Sequence, residues 1–312
     1  MSIFLKSLQL AAPLLLLTAL GYILKRVNIL DKDSSVKLSK LVLNVILPVS
    51  IFNYIYNCDL ENAFNTKLVV FMCVCTIVLI GINILLALLF TRERRKLSAL
   101  MQAGYWANMS IFALPLAISI FGDSLASEMS LVLAFLTPIT NIASMCIFEF
   151  FDEDKVSTTK EILKFLKSPL MIAIGLGAIL NALNITIPSV IDETLQYIGK
   201  SITAISLINL GSGFDFKVNK KIIKLAAVAV VIKLIVSPLL MIPTGALLGF
   251  RDMEMVIIFA IASAPIATST YSIAVCYDTD ISITSCAVVY SYVFCALTIP
   301  SILSLITYLG LI

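Results

Sequence analysis

Histidine is absent from all 312 residues of the chain. Without an imidazole, Ser-His hydrolysis, histidine-ligated zinc or haem and histidine proton relays are excluded. Charge is scarce as well: only 13% of residues are charged, where soluble domains carry about 25%. The seven cysteines contain no Cys-x-x-Cys pair. Six of them (Cys73, Cys75, Cys146, Cys276, Cys286 and Cys295) lie in apolar runs and read as small apolar residues rather than a disulfide framework. Buried aspartates in a pair, which an aspartyl intramembrane protease needs, are missing. Ser-Lys chemistry between Lys233 and Ser237 has no motif behind it. No pattern marks a metal, a cofactor or a nucleic-acid partner, and an enzyme is not the expectation.

What the chain has is hydrophobic residues, 60% of the total, in blocks long enough to cross a hydrocarbon core of roughly 20 helical residues. The blocks are continuous rather than alternating, which favours helices over a barrel. Ten can be marked: 8–24, 38–56, 68–90, 97–121, 126–150, 168–184, 190–213, 222–248, 254–276 and 283–310. The first follows Lys6 without small residues at a cleavage site and reads as a span rather than a removable signal. The longest polar stretch, FDEDKVSTTKEILKFLK at 151–167, reads as an interfacial linker between halves at 1–150 and 168–312. Most of the 22 lysines and arginines fall in alternate links, among them Lys25, Arg26, Arg92, Arg94, Arg95, Lys96, Lys220, Lys221 and Lys224. The other side holds Lys6, Lys67, Lys200 and Arg251. By the positive-inside rule both termini lie outside the cytoplasm.

The halves repeat. In AAPLLLLTALGYILKRVNIL (11–30) and KSPLMIAIGLGAILNALNIT (167–186), Pro13 matches Pro169, Gly21 matches Gly177 and Asn28 matches Asn184, all 156 residues apart. Five spans per half make the second copy enter the membrane inverted, the mark of a secondary transporter. Both fourth spans carry proline among hydroxyls and amides: NMSIFALPLAISIFGD (108–123) and SAPIATSTYSIAVCYD (263–278). Proline at membrane depth frees backbone groups that only protein or a water-filled cavity can satisfy. The breaks are therefore expected to meet near the midplane at Pro115 and Pro265, with Asn108, Ser110, Ser263, Thr268 and Ser269 beside them. Helix ends there can hold an anion without a fixed charge. Lys233, the one cation clearly inside a span, reads either as snorkelling or as a counter-charge to an acidic substrate. Asn44 and Asn141 are further polar points that either glue helices or touch substrate.

The segments ANMSIFALPLAISIFG (107–122), SAPIATSTYSIAVCYDTD (263–280) and ALTIPSIL (296–303) resemble the auxin efflux carrier family, which includes bacterial malate and malonate permease-like members. The resemblance covers nearly the whole chain. It implies an all-α membrane protein of ten transmembrane helices in two inverted five-helix repeats, with crossed broken helices 4 and 9. That fold is akin to bile-acid symporters and sodium–proton antiporters. It implies a substrate site at the crossing lined by Asn108, scaffold and transport domains that move past each other, and a homodimer in the cell membrane. The fifth helix departs from the family, reading LTPITN with Thr137 and Pro138 where asparagines are common. The central loop is also short, so auxin itself is a poor guess. The expected function is a carrier for a small organic anion, a carboxylate. The alternatives are a sodium-coupled symporter, against which the scarcity of intramembrane acids argues, and a sensor reusing the fold.

Overall fold

The computed structural model describes residues 3–57, 65–151, 167–213, 219–277 and 279–312. The linker read at 151–167 lies almost wholly outside the described residues, as does Asp215. All regular structure among the described residues is helical: α1 (Ile3–Arg26), α2 (residues 32–56), α3 (Thr66–Phe90), α4 (Arg94–Tyr105), α5 (residues 109–121), α6 (Ala126–Phe151), α7 (Pro169–Ala182), α8 (Ser189–Lys200), α9 (Ile202–Gly213), α10 (Lys220–Leu247), α11 (Asp252–Ser263), α12 (Ser269–Ala274) and α13 (Ile281–Tyr308). Five stretches are long and apolar enough to cross a membrane: Asp33–Asn53, Thr66–Phe90, Leu131–Phe151, Lys220–Leu247 and Ile281–Tyr308. Large apolar side chains such as Leu89, Leu247 and Leu239 point outward on them, an arrangement that suits lipid and not water.

Local chemistry sets the helix ends. Asp31 and Asn65 cap α2 and α3, their side chains accepting from the Ser34 and Leu68 amides. Ser168 caps α7 in the same way, with Pro169 in the first turn. Asn28 and Asn184, paired in the sequence, both adopt left-handed backbone at φ 58° and 51°. The residue after each closes its helix with an equal 2.9 Å bond, Ile29 N–H to Leu24 O and Ile185 N–H to Leu180 O.

Most helix packing falls into two groups, which meet where α1 lies on α13, α9 on α12 and the second half of α2 on α6. In one, α1 lies along α9, the second half of α2 packs on α7 and α8, and α9 meets the start of α2. In the other, α3 packs on α4 and α6, α10 packs on α4, α11 and α13, and α11 packs on α5. The α1–α9 seam brings backbones into contact: a Cβ on Gly21 would run into the Ile208 carbonyl, and one on Gly211 into that of Thr18. Small residues permit such approach between membrane helices. At one end of the second group Asn65 joins three helix starts. Its Nδ2 donates to Glu128 Oε1 at 2.9 Å and to Glu254 Oε1 at 2.6 Å. Its oxygen accepts the Leu68 N–H at 3.1 Å.

Candidate functional site

Two helices are interrupted in the interior, and the interruptions lie against each other. The chain is extended between α4 and α5, with Trp106 at φ −83°, ψ 110° and Asn108 at φ −79°, ψ 79°. Between α11 and α12, Ala264 sits at φ −61°, ψ 145°, the conformation a residue before proline is pushed into. The two extended pieces pair antiparallel at Ala107 and Ile266. Asn108 N–H donates to the Pro265 carbonyl at 2.8 Å, and Ala267 N–H to the Trp106 carbonyl at 3.0 Å. Helix α13 completes the join: Ser291 Oγ accepts the Ile266 N–H at 3.0 Å, and Asn108 Nδ2 donates to the Tyr292 hydroxyl at 2.5 Å. Backbone freed by the breaks is thus satisfied by the other break and by side chains, the condition under which non-helical chain survives at depth.

The carbonyls at the end of each first half-helix are met as well. A helix end leaves its last carbonyls without donors. Lys233, fully buried on α10, donates to Ala262 O at 2.6 Å and Ile261 O at 3.3 Å. A cation is also what the negative end of a helix dipole favours. In the first half Asn83, 150 positions earlier, donates its amide to the Met101 carbonyl in the last turns of α4. Its amide fills the space a Cβ on Gly104 would take.

A cavity of about 440 Å³ opens beside the crossing. One wall comes from the crossing and α6: Trp106, Asn108, Thr268, Ser269, Thr137 and Asn141. The other comes from the first helix group, through Ser50, Asn53, Asn57, Gln196, Lys200 and Thr203. The space lies between the two packing groups. Among the described residues no carboxylate lines it, and Lys200 is the one charged residue there.

A family model described as membrane transport protein matches residues 7–303. The chain belongs to this family, that of the auxin efflux carriers. It is similar to an uncharacterized transporter of Methanothermobacter thermautotrophicus, 26% identical over 304 residues, covering 96% of this chain and 98% of the relative. It is also similar to an uncharacterized transporter of Methanocaldococcus jannaschii, 24% identical over 296 residues and covering 91% and 94% of the two chains. A multi-pass membrane transporter is what the family, the relatives and the apolar helices support together.

Within this membrane transport protein the residues expected at the site separate into three sets. Asn108, Asn141, Thr268 and Ser269 line the cavity together. Pro265 lies at the crossing through its carbonyl, and Ser263 ends α11 with a buried hydroxyl that has no partner among the described residues. Pro115 is not at the break: the chain turns at 106–108, and Pro115 lies in the first turn of the Leu114–Phe121 segment of α5. Asn44 faces outward, donating to the Lys40 carbonyl of its own helix at 3.0 Å, and is not on the cavity wall. Lys233 is behind the crossing, engaged with backbone. The side chain of Ser110 lies outside the described residues. Sequence reasoning missed Asn53, Gln196, Tyr292 and Lys200. Lys200 was placed with the outer links, although the polar run Gly199-Lys200-Ser201 interrupts the apolar block 190–213.

Proposed function

We propose that this protein is a secondary transporter that carries a small organic anion, a carboxylate, across the cell membrane by alternating access. The observation that carries the reading is the position of the cavity. It lies between two helix groups, with paired helix breaks as one wall. Sliding of one group along the other exposes such a site first to one side and then to the other, as in an elevator. A wall of amides and hydroxyls with one lysine and no carboxylate favours an anion over a cation. Ten spans in two inverted halves, 1–150 and 168–312, agree with the crossing of α4–α5 by α11–α12. The matching caps at Asn28 and Asn184, and the matching reach of Asn83 and Lys233 to helix carbonyls, agree with it too. The distribution of lysine and arginine supports termini outside the cytoplasm.

Purified protein reconstituted in liposomes is expected to exchange radiolabelled carboxylate in counterflow. Asn108→Ala is expected to abolish exchange while its melting profile and gel-filtration behaviour stay those of the parent. Absence of counterflow across a broad panel of mono- and dicarboxylates overturns the proposal.

A further inference from the structure

We propose that Lys200, and not Lys233, sets the charge selectivity of the cavity, and that this single cation limits the substrate to one negative charge. The inference rests on the carrier reading above and deepens it.

The position of Lys200 is built. It ends α8 at the junction with α9 and lines the cavity there. Its neighbour Gly199 fixes the approach to α2. A Cβ there would lie 2.9 Å from Asn53 Nδ2 and 3.3 Å from Ser50 Cα, both on the cavity wall. The close contact brings the Lys200 backbone to the rim of the cavity, and the lysine side chain is exposed there.

The ammonium is also uncommitted. Among the described residues Lys200 has no ion pair and no hydrogen bond. Asp192 stands eight positions earlier on the same helix, where its Oδ2 accepts from Gln196 Nε2 at 2.8 Å. Lys233 is the opposite case, since it is held by the Ile261 and Ala262 carbonyls and is not among the cavity-lining residues. A carboxylate entering the cavity therefore meets one free cation. A second carboxylate would lose its water against amides, hydroxyls and apolar side chains with no charge to pair it, and an unpaired buried charge is strongly disfavoured.

The test uses the full chain in lipid nanodiscs at neutral pH. Its probes are matched in shape and differ in charge: butyrate, butyramide and succinate, with propionate and hexanoate and their amides beside them. Wild-type protein is expected to bind monocarboxylates about tenfold or more tightly than their amides, as a charge-assisted bond to a lysine supplies, and more tightly than succinate. Lys200→Gln is expected to bring each carboxylate to the level of its amide, with a melting profile and gel-filtration behaviour like the parent's showing the fold intact. Lys200→Arg is expected to restore the preference. A carboxylate-to-amide ratio unchanged in Lys200→Gln overturns the role of Lys200, even if the protein still performs counterflow. A ratio that collapses in Lys233→Gln but not in Lys200→Gln moves the charge to the other lysine and overturns it too. Succinate bound as tightly as butyrate overturns the single-charge limit. If none of the probes binds and no carboxylate exchanges, the carrier reading falls and this inference falls with it.

Discussion

At the level of single residues, the clearest case is a lysine that satisfies helix ends. Removing the Lys233 ammonium leaves the Ile261 and Ala262 carbonyls unpaired in the interior, at about 1–3 kcal/mol for each orphaned group. Lys233→Ala is therefore expected to lower the melting temperature, with the affinity of the folded fraction for substrate unchanged. A variant with parental stability and weakened binding would return Lys233 to the role of counter-charge. Tyr292 holds the Asn108 amide, and its ring meets Phe112 edge-on at a centroid distance of 6.1 Å. Tyr292→Phe keeps the ring and removes the acceptor. Binding is expected to weaken by about 1 kcal/mol, roughly fivefold, from loss of one bond that aims the amide. Equal affinity for parent and variant, measured by calorimetry, would show that Asn108 is positioned by its backbone alone. Residue identity announced Asn108, Thr268 and Ser269, because polar groups in apolar blocks stand out. It did not announce Lys200, because a lysine near a block boundary looks the same whether it faces headgroups or a cavity.

At the level of elements, proline acts at a distance from where it stands. Three turns are widened to the i→i+5 pattern, Val42–Ile46, Met109–Ala113 and Ile232–Val236. In each, the N–H that closes it belongs to the residue just ahead of a proline: Leu47 before Pro48, Leu114 before Pro115 and Ser237 before Pro238. A proline ring crowds the carbonyl four residues back and offers it no N–H. Widening the turn moves that carbonyl aside, a known origin of such bulges. Pro115 therefore shapes the first turns of α5 rather than breaking the chain. The break comes earlier, at Trp106–Asn108, where neither proline nor glycine stands. Nothing local requires it. The partner strand at Pro265–Ala267 does, and pairing between distant segments leaves no mark on one segment alone. Pro238→Ala is expected to let 232–236 tighten to an ordinary α-turn, rotating Lys233 away from the α11 carbonyls. Counterflow should fall while helix content, followed by far-ultraviolet circular dichroism, holds or rises, since alanine favours a helix interior by about 3 kcal/mol over proline. Parental flux in this variant would show that the bulge is a passive accommodation.

For the whole molecule, an all-helical membrane protein was legible because lipid demands long apolar runs. The partition into two packing groups was not, since either face of an apolar helix looks alike until its neighbours are known.

The seam at Gly21 and Gly211 bears on how the protein is made. Helix α1 finds its closest companion only after Gly211 has been synthesised. Until then it waits in the bilayer without that neighbour, which suits a segment whose apolar residues are spread around its circumference. A chain stopped before α9 therefore presents quality-control proteases with an orphan helix, and supplying the missing half as a separate polypeptide is expected to shield it.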